Sequence, residues 1–422
     1  MLDRTIAPSF GEIKNPEIQQ AEVFSLSNGS HLSLINAGDQ PVIKFEIVLD
    51  SGICHENLPG LSWITAKTLP EGTRVKSANQ IAELFEYYGS FIEINPSFDN
   101  TSIAVYTPKK YFKEVIALLA EVLFKPSFNE NEIEILKTNK IQQLKVNSEK
   151  TNFVASRKIR ESLFGLNHSY GQFLSEDDVT KLNKSDIESY YLSSFYNAPQ
   201  FYLSGSVDSS EIDIAKQYFD IDKAEINSFS KKNSLSESSK NIFVEKAESL
   251  QSSIRLGWQI PDKHHPDHFK LVLLNEILGG YFSSRLMKNL REDKGYTYGV
   301  HSYPVFLKQE SFLIISADVI AENTQDAIGE IHKELNILKD TKVSDLELET
   351  VRNYMAGSFL SGVSSPFQLI EKFKSVNNHG LNYSYFDNFF QSLKTISSDD
   401  IIKTANQYLK TDDLHTVVVG KK

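Results

Sequence analysis

Arg291 and Tyr298 stand close together in the segment Leu-Arg-Glu-Asp-Lys-Gly-Tyr-Thr-Tyr-Gly, residues 290–299. A guanidinium offers N–H donors in a planar fork, and a phenol can both donate and accept a hydrogen bond. Held side by side, the two suit a peptide carbonyl or a carboxylate. The surrounding chain must turn to bring them together. The sequence predicts that one helix stops at Gly279-Gly280 and that a second runs from Ser283 through Arg291. A turn at Lys294-Gly295 then leads into a strand carrying Tyr296 and Tyr298. An arginine at a helix end and a tyrosine at a strand start can share one surface.

Other reactive residue types carry less. His264 and His268 have the spacing of a helical metal pair, but Pro266 marks a helix start and leaves His264 outside it. They read as a solvated helix N-terminus. His301 follows Tyr298 by three positions, so strict alternation puts it on the opposite face of the strand, and it reads as a surface histidine rather than a catalytic one. Gly279-Gly280 lacks the further glycines and the lysine of a phosphate loop. Arg285 should diverge from Arg291 around the helix. Cys54 reads as a small buried hydrophobe. As the only cysteine, it cannot form an intrachain disulfide or a multi-cysteine zinc site.

The bulk properties are those of a globular protein. The 422 residues carry 40% hydrophobic side chains and a formal net charge of −11, which favours more than one domain and argues against a nucleic-acid partner. There is no membrane-spanning run and no apolar signal core at the start. The expected compartment is cytoplasmic, or periplasmic if a signal peptide has been removed.

Asn28-Gly29 between two alternating stretches predicts a β-hairpin. Val42 to Leu49 reads as a buried strand, and Ser77 to Tyr88 as a helix capped by Ser77 and stopped at Gly89. Phe91 to Ile94 and Thr101 to Tyr106 read as paired strands, and Asn129 to Val146 as an amphipathic helix. Residues 227–241 are rich in Ser and Lys and read as a linker. Beyond it the order of elements recurs, with a period of about 210 residues, too long for a solenoid. The expected fold is α+β: two tandem homologous domains, 1–226 and 242–422. Each is a mostly antiparallel sheet with helices packed on one face.

This order, the duplication and the tract Ser284-Arg285-Leu286…Leu290-Arg291-Glu292…Gly295…Tyr298 resemble the pitrilysin/insulinase (M16) metallopeptidases, in particular the two-domain bacterial members and the mitochondrial processing peptidase subunits. The resemblance implies a LuxS-like, processing-peptidase-like fold in which Arg291 and Tyr298 contact the substrate backbone. Active members carry His-x-x-Glu-His on the first long helix of the N-terminal domain, and a distant Glu completes a zinc site. Here the flanks Gly60-Leu61 and Gly72-Thr73 match, but Trp63 and Lys67 stand at the two His positions and Ala66 at the Glu. The segment Asn139 to Leu144, where the distant Glu should fall, contains no carboxylate. The resemblance therefore implies no catalytic residue, no metal ligand and no cofactor in this chain. Zinc is expected in a partner subunit with an intact His-x-x-Glu-His, in a heterodimer acting on peptides. The alternative is a structural or peptide-holding scaffold. Phe91 to Ile94 takes the place of the family's substrate-pairing edge, where its bulky side chains disfavour an added peptide.

Overall fold

The computed structural model describes residues 13–195, 199–220 and 239–421. Two sheets organise them. The first contains β1 (Glu22–Ser25), β2 (His31–Asn36), β3 (Val42–Leu49), β4 (Phe91–Pro96), β5 (Thr101–Pro108) and β6 (Gln200–Gly205), in the order β1-β2-β6-β3-β5-β4. The second contains β7 (Asn241–Glu245), β8 (Gln251–Gln259), β9 (Thr297–Phe306), β10 (Ser311–Ile320) and β11 (His415–Gly420), in the order β7-β11-β8-β10-β9. Leaving aside β1, the strands correspond one for one. The pairs β2–β6 and β7–β11 are parallel, and the remaining pairs are antiparallel. The Asn28-Gly29 turn forms as expected, with Gly29 at φ 81°. Residues 227–238 of the expected linker lie outside the described residues.

The helices of the first half are α1 (Leu61–Thr68), α2 (Ala78–Tyr87), α3 (Phe112–Phe124), α4 (Glu130–Ser148), α5 (Thr151–Phe164), α6 (Glu176–Lys181), α7 (Lys184–Tyr190) and α8 (Ser209–Phe219). Those of the second are α9 (His268–Asn275), α10 (Thr324–Asp340), α11 (Asp345–Ser361), α12 (Pro366–Asn377), α13 (Ser384–Thr395) and α14 (Ser398–Tyr408). The Ser77 cap on α2 is a full capping box with Gln80. One apolar core lies between the first sheet and α1, α2, α3, α7 and α8. Another lies between the second sheet and α9, α10, α11, α13 and α14.

Sequence did not foresee what covers the opposite faces. Helix α5 of the first half lays Ala155, Ile159 and Leu163 on Phe312, Ile314, Val417 and Val419 of the second sheet. In return, α12 of the second half packs Ile370 and Phe373 on Ile35, Val48 and Tyr202 of the first. Each fully buried aliphatic or aromatic side chain contributes about 1.5–3 kcal/mol, so the exchange ties the halves together firmly. It also explains why β3 and β8 are buried along nearly their whole length rather than at alternate positions. At the α12 contact, Lys44 and Lys374 alternate with Glu46 and Glu371, with Nζ–O distances of 2.5–2.7 Å. Burial alone would lower the Lys44 pKa; the two carboxylates outweigh it and raise it.

Candidate functional site

Arg291 lies in a π-helical segment, Met287–Asp293, whose Met287 and Leu290, with the preceding Leu286, are buried in the second core. The Asn289 amide anchors this segment to α10, donating to Glu330 Oε2 at 2.8 Å and Glu334 Oε1 at 2.7 Å. The chain reverses at Gly295, and the Tyr296 N–H returns to the Leu290 carbonyl. β9 then begins with a bulge. Ala317 pairs with Val300 and Val319 with Thr297, so β9 carries one extra residue between those pairs. The Thr297 hydroxyl donates to the Asp318 carbonyl and accepts from the Gly299 N–H, which holds the bulge in place.

Tyr298, 92% exposed, projects from this bulge. The Arg291 guanidinium lies 5.7 Å from the Tyr298 ring and 4.7 Å from the ring of Phe282. The two residues singled out in the sequence therefore share one surface, with Phe282 as a second aromatic wall. Phe282 carried no sequence signal, because it lies in the turn before the helix and follows no periodicity. Among the described residues Arg291 forms no ion pair, so its donors are not committed to a carboxylate. Arg285 is committed: its Nε and Nη2 meet the Glu347 carboxylate at 2.8 Å each.

Two expectations about histidines need correction. The bulge breaks the alternation that placed His301 opposite Tyr298. Val300 and Ser302 face inward, while His301 is exposed like Tyr298, and its Nε2 lies against Gly299. His268 is not solvated; it is 1% exposed, with Nε2 2.8 Å from the Tyr385 hydroxyl. Burial holds its pKa down at about 4. His264 lies outside α9, as expected, with Nε2 2.9 Å from the His379 carbonyl.

Gly279 and Gly280 end a π-helical segment, Glu276–Gly280, and also close a sheet edge. The bonded turn pair Leu307–Glu310 sets the alternation along β9, which leaves the backbone groups of Val300 and Ser302 on its free edge. The Asn275 amide donates to the Ser302 carbonyl, and the Val300 N–H points to Met287 Sδ at 3.4 Å. β9 is thus capped beside Tyr298.

On α1, the Glu56 carboxylate accepts from the N–H groups of Gly60 and Ser62 at the helix start. Ala66 is fully buried. The Trp63 ring lies under Lys140 of α4, with Nζ 4.9 Å from its centroid. Lys67 donates to the Ile94 carbonyl of β4 at 2.5 Å. Burial lowers the pKa of both lysines, and the charge of Lys67 lowers that of Lys140 further. An indole N–H and an ammonium are donors only, and a methyl group is neither donor nor acceptor. The side chains at positions 63, 66, 67 and 140 do not fit a zinc ion. Among the described residues, no group of three or more His, Cys, Asp or Glu side chains could hold a metal. Cys54 is buried, its thiol 3.7 Å from the Asp99 carboxylate.

Two family models match the chain in tandem: insulinase (peptidase family M16) over residues 34–174 and the peptidase M16 inactive domain over residues 181–355. The chain belongs to the M16 peptidase family. The second match begins before β6, which nonetheless lies inside the first sheet. Among M16 relatives, the chain is 25% identical over 353 residues to an uncharacterised zinc protease, YmxG, of Bacillus subtilis, covering 81% of this chain and 84% of the relative. It is 22% identical to a non-peptidase homologue, also YmxG, of Helicobacter pylori, covering 97% and 94%. It is 23% identical to the alpha subunit of the human mitochondrial processing peptidase, covering 85% and 74%. The solved structure of a peptidase M16 inactive domain from Pseudomonas fluorescens superposes with a TM-score of 0.86 at 20% identity, covering 96% of this chain and 99% of that one. That likeness supports the M16-like fold of two α+β halves. Among the described residues no helix is long and apolar enough to cross a membrane.

Proposed function

We propose that this M16 protein is the non-catalytic subunit of a two-chain peptidase. Its partner carries His-x-x-Glu-His and the zinc ion, and this chain contributes Arg291 and Tyr298 to the peptide backbone. The observation that carries the reading is the contrast between the two halves. An uncommitted guanidinium and an exposed phenol converge at residues 291 and 298. Trp63, Ala66 and Lys67 offer a metal no lone pair at neutral pH. Similarity to a non-peptidase homologue and to a processing-peptidase subunit is consistent with this division. The guanidinium donates to a substrate carbonyl, the phenol donates or accepts beside it, and Phe282 limits the directions the guanidinium can take.

The rival reading, a scaffold without a role in proteolysis, makes the opposite prediction for one experiment. The chain is combined with a zinc-bearing M16 partner, and peptide cleavage and assembly are measured for Arg291→Ala and Tyr298→Phe. Loss of one well-placed donor of this kind costs about 10²–10³ in turnover where the donor acts in the transition state. A decrease of at least tenfold with assembly intact supports the subunit reading. Unchanged cleavage by both variants rejects it in favour of the scaffold.

A further inference from the structure

We propose that Lys67, Lys140 and Trp63 form a binding site for a peptide carboxylate at the free edge of β4. Ser97 and Asn100 are hydrogen-bonded across the β4–β5 turn. Alternation from that pair leaves the N–H and C=O of Ile94 pointing away from β5, on the sheet edge. The ammonium of Lys67 occupies this carbonyl. Lys140 reaches over from α4, its Nζ 4.9 Å from the centre of the Trp63 ring, which lies one helical turn before Lys67 on α1, and 3.1 Å from Gln143 Oε1. Both lysines are about half withdrawn from water, and they are near enough to repel. Among the described residues neither has a carboxylate within ion-pair distance, although the chain as a whole is acidic.

Two half-buried cations with only neutral acceptors are poorly matched to each other and well matched to one anion. A carboxylate has two oxygens and accepts from both ammonium groups, and a charge-assisted bond is roughly twice as strong as one to a neutral carbonyl. The carboxylate therefore displaces Ile94 from Lys67. That the carboxylate belongs to a peptide rests on the peptide-handling reading above; that the site takes a carboxylate does not.

The test uses this chain alone, so it is independent of any partner. In a Trp258→Phe background Trp63 is the sole indole, and its fluorescence is titrated with acetyl-trialanine bearing a free C-terminal carboxylate. Calorimetry on the unaltered chain reads the same binding without a reporter. The expected result is a saturable change, at least tenfold weaker for the C-terminal amide, and lost in both Lys67→Met and Lys140→Gln. An amidated peptide with a central Glu separates a side-chain carboxylate from a terminal one, and equal binding assigns the site to either source. No saturable response, an equal response to the fully amidated trialanine, or full binding by both lysine variants overturns the proposal. Acetate binding as tightly as the peptide overturns its peptide component.

Discussion

Replacing Gly279 by alanine tests how the π-helical segment and β9 are locked together. A Cβ at Gly279 would lie 2.8 Å from the Ser302 backbone nitrogen, 2.8 Å from its Oγ and 3.0 Å from its Cβ. The backbone contact cannot be relieved by rotating a side chain, so the segment must move off the strand. Overpacking of this kind costs about 1–3 kcal/mol. Separation also opens the Asn275–Ser302 hydrogen bonds, and a buried polar group left unpaired costs about 1–3 kcal/mol. Alanine returns at most ~1 kcal/mol through its better helix propensity. The expected net loss is about 2–4 kcal/mol in unfolding free energy. Urea denaturation followed by the fluorescence of Trp258, which sits in the same core, measures it. Gly357→Ala is the control: it lies exposed in α11 with nothing near its Cβ position, so the change should stabilise by about 0.5–1 kcal/mol. A Gly279→Ala protein within about 0.5 kcal/mol of the unaltered chain, the scale of a neutral surface change, would refute the close approach.

Two further outcomes follow from buried groups. In the unfolded chain His268 binds a proton near pH 6.5, whereas in the folded chain burial delays this to about pH 4. Its contribution is therefore fully present above pH 6.5 and is lost as the pH falls through that window, on the order of 3 kcal/mol. Denaturation at pH 7.5, 5.5 and 4.5 should show this loss, with a shallower decline in His268→Gln; an unchanged slope would remove His268 from the explanation. Burial, reinforced by the Asp99 carboxylate, pushes the Cys54 thiol up to about 12. An aromatic disulfide reagent should therefore leave the native protein unmodified at neutral pH and label it fully in urea. Labelling of the native chain at the rate of a free thiol would contradict the buried position.

Much of the architecture was legible because it is encoded locally. The Asn28-Gly29 turn, the Ser77 cap and the alternation of Thr101 to Tyr106 each depend on neighbouring residues, and the structure contains all three. Strand β7 and helix α13 were not anticipated. β7 is short and pairs with β11 from the far end of the chain. The reading of Val42 to Leu49 as a buried strand holds, but what covers β3 and β8 was not legible, since α12 and α5 come from the other half. The opposite-face placement of His301 failed, although its surface position holds, because a bulge inserts a residue into a period of two, and that bulge is held by contacts with β10.

The amino-acid sequence alone determined the donor chemistry at positions 63, 66 and 67, because no fold turns an indole, a methyl group or an ammonium into a zinc ligand at neutral pH. It also determined the internal repetition and the close spacing of Arg291 and Tyr298. Tertiary structure decided which groups those side chains meet. Arg291 against Phe282, Lys67 on the Ile94 carbonyl and Lys140 above Trp63 are pairings between separate elements. Their geometry depends on a π-helical turn, a sheet edge and the crossing of two helices, which are fixed only when the cores pack.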